Sequence, residues 1–140
     1  MAQNLSFLKN SHEPYVVIAS GDGVYKMDYN KVLEYHIAKK ADFTVVTANV
    51  EEKDDPSRFG VVSTDCNNRI IEFEEKPIDA KSFQVSAGIY IVRRRLLIDL
   101  IEKSVADERY DFVKDILIRY KNVRRFMHIR WRHIGVIFLL

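Results

Sequence analysis

The chain has 140 residues, 47% hydrophobic and 30% charged, with a formal net charge of +2. That length suits one domain able to bury a core, and so small a charge gives no argument for a nucleic-acid or acidic-membrane partner. A lone cysteine, Cys66, excludes an internal disulfide and suits a reducing compartment; neither a signal peptide over Met1 to Asn10 nor an apolar run near the ~20 residues of a membrane span is present, so a cytoplasmic location is expected.

In chain order, Ala2 to Lys9 sets Leu5 and Leu8 three apart with Phe7 beside them, which predicts a short helix ended by Glu13-Pro14. Tyr15 to Ile18 is a short apolar run that reads as a buried strand. Small Ala19 and Ser20 follow it, and Gly21-Asp22-Gly23 then breaks the strand. A carboxylate between two glycines at a strand's C-terminal end sits where open α/β sheets bind ligands, and it can hold a divalent cation. The same tripeptide is also ordinary turn chemistry, so both readings stand at this point.

Asp28 is a plausible N-cap for a helix through about Lys40, with Tyr29, Val32, Leu33, His36 and Ile37 on its core face. His36 reads as packed at the edge of the core, because no second histidine or cysteine stands at ligand spacing. Phe43 to Val50 has the continuous apolar start of a central parallel strand. Acidic Glu51 to Ser57, with Pro56, is a surface loop. Phe59 to Ser63 and Arg69 to Glu74 flank Asp65-Cys66-Asn67-Asn68, the pattern of a β-hairpin, with Cys66 exposed in its turn. Glu74-Glu75-Lys76-Pro77 ends the second strand, and Val85 to Val92 is another, apolar on both faces. Arg93 to Lys103 and Tyr110 to Tyr120 are amphipathic helices. The alternation predicts an α/β fold with a mostly parallel sheet. Phe126 to Leu140 ends in GVIFLL, a possible buried strand whose position as a bare terminus would leave an exposed edge.

Two further places carry chemistry. Lys76, at a strand end, can bind a phosphate as a point charge, and neighbouring Glu75 can accept hydrogen bonds from sugar hydroxyls; a solvated corner with a proline stop is the plainer reading. The Ser86 hydroxyl, opening a strand, can contact a ligand or satisfy local backbone.

The ordered set QNLSFLKNSHEPYVVIASGD, VYKMDYNKVLEYHIAKKAD, RFGVV, RIIEFEEKP and SAGIY, over about residues 3 to 125, resembles the nucleotidyltransferase domain of bacterial ADP-glucose pyrophosphorylase, glucose-1-phosphate adenylyltransferase. The resemblance implies a Rossmann-like nucleotide-sugar transferase sheet that joins ATP and glucose 1-phosphate into ADP-glucose for glycogen synthesis. It assigns Asp22 to the catalytic magnesium ion, Gly21 to substrate binding, Glu75 and Lys76 to the sugar and phosphate of glucose 1-phosphate, and Ser86 to the sugar site. Magnesium and lysine would neutralise and align two anions that repel, which is most of what adenylyl transfer needs.

The chain also departs from that pattern. It has no match to the family's opening Gly-rich loop, which cradles the ATP phosphates, so the ATP site is expected to be incomplete. Gly23 stands where the active form has a histidine. The nearest match to a second magnesium-binding motif, Y-W-x-D-x-G, is Arg130 to Gly135, which sets His133 at the aspartate position. Histidine is a poor substitute for a hard oxygen ligand. VRRRLLIDLIE and ERYDFVKDILIRYKNV are similar to the GlgD-type, regulatory subunit that accompanies a catalytic-type subunit in a hetero-oligomer. The expectation is therefore a partial nucleotidyltransferase domain over 1–125, incomplete at both ends, with 126–140 an atypical or altered end. Alone it should be inactive. The alternatives are a non-catalytic sugar-phosphate-binding or assembly subunit, and a sugar nucleotidyltransferase using UTP, CTP or dTTP.

Overall fold

The computed structural model describes residues 1–21, 23–51, 53–133 and 135–139, with the backbone alone over 133–139. A short helix α1 (Leu5–Asn10) leads into β1 (Tyr15–Ala19), β2 (Gly23–Met27), α2 (Tyr29–Ala38) and β3 (Phe43–Asn49). The hairpin β4 (Gly60–Thr64) and β5 (Ile70–Glu75) follows, then the long strand β6 (Gln84–Arg93) and α3 (Arg94–Ala106). A π-helix (Phe112–Ile118), β7 (Phe126–Arg130) and β8 (Gly135–Leu139) complete the order. Asp28 caps α2, its Oδ1 accepting from the Asn30 N–H at 3.0 Å. Asp65 builds the hairpin turn by accepting from the N–H groups of Asn67 and Arg69, with Asn68 in the left-handed region.

Six strands form one sheet in the order β5-β4-β6-β3-β7, with β1 also on β6, while β2 and β8 pair as a separate antiparallel ribbon. The class is α/β, but the expected mostly parallel sheet is not what forms. Among the described strands only β3 and β7 run parallel; every other pair is antiparallel. The reason lies in what an uninterrupted apolar run reports. It records burial on both faces, which β3 and β6 have as central strands, and carries no information about the sense of their neighbours. β1, read as buried, is half-exposed, with Val17 open to solvent.

Alternation along β3 and β6 feeds two cores. Phe43, Val45, Tyr90 and Val92 meet Leu97, Leu100 and Leu117 on one face, where Leu5 and Leu8 also pack. On the other face Val46, Ile89 and Ile91 meet Val32 of α2. Of the face read for α2, Val32 and His36 are buried, whereas Tyr29 and Ile37 are largely exposed.

Among the described residues, two histidines are buried. His36 shares a 2.8 Å hydrogen bond between Nδ1 and Thr44 Oγ1, stands edge-on to Tyr15, and has no partner at Nε2. His128 receives the Gln84 amide at Nδ1 (2.8 Å) and faces Asn68 Oδ1 through Nε2 (3.2 Å). Burial, helped by the charge of Arg93, pushes His36 down to about 4; burial and Arg130 do the same to His128. Both rings are neutral when folded and charge more readily when unfolded, where the ordinary value is 6.5. Their stabilisation is complete above that value and is lost as pH falls from 6.5 toward about 4. Urea midpoints should therefore fall steeply over this window, and His128→Gln should flatten part of the slope; identical acid limbs in variant and parent would remove His128 from the account.

Candidate functional site

The site grows from a gap in the sheet. One edge of β6 pairs along its length with β3, so the strands on its other edge, β1 and β4, must share that side. β1 takes Ile89 to Arg93 and β4 takes Val85, which leaves Ser86 to Gly88 without a strand neighbour there. On the β3 side the register jumps at the same place: Val46 faces Ile89, and the next residue, Thr47, faces Ser86. Ala87 and Gly88 therefore form a bulge, a device that re-aims backbone groups at sites.

The bulge's polar groups are taken up locally. The Gly88 N–H donates to Ser86 Oγ (3.1 Å), its carbonyl accepts from the Ser20 N–H (2.9 Å), and the Ala87 carbonyl accepts from the Tyr25 hydroxyl (3.2 Å). Gly88 has φ +72°, a conformation L side chains rarely adopt, and a Cβ there would come within 2.9 Å of Ser20 Cβ.

A cleft of about 330 Å³ opens over this gap, at the lower end of the range of small-ligand sites. Ser86 and Tyr90 form its floor, Ser20 closes one side, and Glu75 and Lys76 close the other from the end of β5. Phe112, at the start of the π-helix, packs edge-on against Tyr90 at 5.5 Å and forms part of the wall. Gly60 faces Glu75 in the hairpin register, and a side chain there would press on Glu75 Oε2 and the Phe73 ring at 3.1 Å. The absence of one lets the carboxyl lie across β4 toward the cleft.

The electrostatics fit a ligand with hydroxyls and an anionic end. Burial pushes the Glu75 carboxyl above the usual carboxylate range, with Lys76 pulling against it. Burial likewise pushes Tyr90 up to about 12, against a 3.0 Å hydrogen bond shared with Ser86, so its phenol keeps its proton. Lys76 has φ +46°, and its N–H donates to the Phe59 carbonyl at 3.0 Å, which fixes the strand end that carries the ammonium.

Of the residues read from the sequence, Glu75, Lys76 and Ser86 line one cleft. The Ser86 hydroxyl satisfies both local backbone and Tyr90 while it does so. Gly21 is exposed one residue beyond Ser20, and Asp22 lies outside the described residues. Sequence reasoning missed Tyr25, Tyr90 and Ser20 as wall residues. Like Ser20 and Tyr90, Tyr25 stood within the quoted stretches, but nothing in the pattern singled it out. Its ring folds back over Gly23, so that any side chain at 23 would collide with it.

Comparison with known proteins places these observations. The profile of the nucleotidyl transferase family matches residues 1–137. Among curated relatives, a glucose-1-phosphate adenylyltransferase of Bacillus cytotoxicus is 45% identical over 117 residues, 82% of this chain and 31% of the relative. One from Thermosipho melanesiensis is 38% identical over 141 aligned positions, 96% of this chain and 34% of the relative. A third, from Lachnospira eligens, is 45% identical over 115 residues, 82% of this chain and 27% of the relative. The chain spans about a third of the length of these proteins.

The bulge gives a direct test of the cleft's construction. Gly88→Ala should destabilise the protein by about 2 kcal/mol, from the left-handed backbone and the Ser20 contact together. Chemical denaturation reads this, and an unchanged midpoint would mean that the bulge is not held as described.

Proposed function

This chain belongs to the nucleotidyl transferase family, and on that premise we propose that it supplies the glucose 1-phosphate half of a glucose-1-phosphate adenylyltransferase site. The family reaction would be the transfer of an adenylyl group from ATP to glucose 1-phosphate, releasing diphosphate, in glycogen synthesis. The observation that carries the reading is the convergence of Glu75, Lys76 and Ser86 on one cleft from two separate strand ends. The names of the aligned relatives support the same substrate.

In this reading Glu75 and Ser86 accept and donate hydrogen bonds to the sugar hydroxyls, and the Lys76 ammonium meets the phosphate. The Lys76–phosphate contact would be a charge-assisted hydrogen bond, the stronger kind. Asp22 would hold magnesium through its carboxylate, and the ion would draw the two phosphates together. The donor set fits that ion in part only. Asp22 is a hard oxygen ligand, but the second expected position carries His133. No cluster of three or more His, Cys, Asp or Glu side chains gathers at metal-holding distance among the described residues.

That substitution favours a GlgD-type, regulatory role beside a catalytic-type subunit in a hetero-oligomer, with the sugar-phosphate pocket retained for binding. No helix among the described residues is long and apolar enough to cross a membrane, and the proposed reaction belongs in the cytoplasm.

Two outcomes follow. Calorimetry should find that Lys76→Ala weakens glucose 1-phosphate binding at least about tenfold, the worth of one charge-assisted hydrogen bond; equal affinities in variant and parent would defeat the pocket assignment. The 140-residue polypeptide with ATP, glucose 1-phosphate and magnesium should release no diphosphate, and measurable turnover would establish a working adenylyltransferase instead.

A further inference from the structure

A second cation lines the cleft. Arg58 lines it together with Lys76, although the two are 18 positions apart and neither belongs to any of the ion pairs found among the described residues. The turn that carries Arg58 is short and fixed. Asp55 caps it by accepting from the Ser57 N–H (2.9 Å) and hydroxyl (2.6 Å), Pro56 sets its first dihedral, and the Phe59 N–H closes it on the Pro56 carbonyl (3.1 Å). The Phe59 carbonyl in turn receives the Lys76 N–H, so one peptide unit next to Arg58 anchors the backbone of the other cation.

Two like charges lining one cleft repel, and an anion bound between them would offset that repulsion. Of the acids near them, Asp55 accepts from Ser57 while its charge also faces Arg58, and burial disfavours the charged form of Glu75. A phosphate monoester has one oxygen for an ammonium and two for a planar guanidinium fork.

We propose that Arg58 is a second phosphate-binding residue of this cleft, clamping the phosphate of the sugar ligand opposite Lys76. The inference rests on the sugar-phosphate reading above and adds to it a specificity element: the cleft selects a dianionic phosphate over the neutral sugar by two charges rather than one.

The test is calorimetric titration of the full chain and its Arg58→Ala, Arg58→Gln and Lys76→Ala variants with glucose 1-phosphate, inorganic phosphate and glucose, at low and high salt. Both Arg58 variants should bind glucose 1-phosphate about tenfold more weakly and with a shallower salt dependence, while any binding of glucose is unchanged. Thermal melts should match the parent, since Arg58 is exposed; Arg58→Gln keeps the side-chain stem should the alanine variant unfold. If Lys76→Ala weakens binding and both Arg58 variants bind as the parent does, Arg58 is excluded and the sugar-phosphate reading stands. If no variant weakens binding, both fall.

Discussion

The molecule depends on how a ten-residue strand distributes its hydrogen bonds. β6 has β3 along one edge, but its other edge is shared end to end by β1 and β4, and the three residues between them belong to neither. Unpaired backbone in the middle of a sheet is costly unless each group finds a partner. Here the partners come from Ser86, Ser20 and Tyr25, each of which also shapes the cleft. The same groups that remove the energetic penalty of the gap therefore form the walls of the site.

Two residues with left-handed backbone lie at the same place. Gly88 and Lys76 both adopt positive φ, one on the floor and one on the rim. A non-glycine residue in this region costs roughly 1 kcal/mol and persists only where its surroundings over-determine it. For Lys76 the surroundings are the Phe59 carbonyl, the hairpin register that sets Gly60 against Glu75, and the proline that follows. A lysine on a regular strand would alternate with its neighbours across the sheet. One turned out of the strand at its last residue can share a cleft with the glutamate directly before it.

Local chemistry made much of this legible in advance. Asp28 as a cap, Asp65 to Asn68 as a hairpin turn, and Leu97, Leu100 and Ile101 as a buried helix face follow from spacing and side-chain type alone. Glu75, Lys76 and Ser86 were readable as a set because a resemblance joined motifs that are individually bland. What stayed hidden was long-range. Strand sense is decided by connections and neighbours, so the apolar runs of β3 and β6 could announce central position but not direction. The polar network of Gln84, Thr47 and His128 joins residues up to 81 positions apart, and no periodicity marks it. The Phe112–Ile118 segment was readable as helical, yet its wider π turn was not. Such turns recur at functional sites, and this one brings Phe112 against Tyr90 at the cleft wall.

Gly23 shows how a departure at one position can be tied to another two residues away. Along a strand, residues 23 and 25 lie on the same face, and the Tyr25 ring occupies the space a side chain at 23 would need. A histidine at 23 and this placement of Tyr25 thus exclude each other. With glycine there, the Tyr25 hydroxyl reaches the Ala87 carbonyl and completes the bulge.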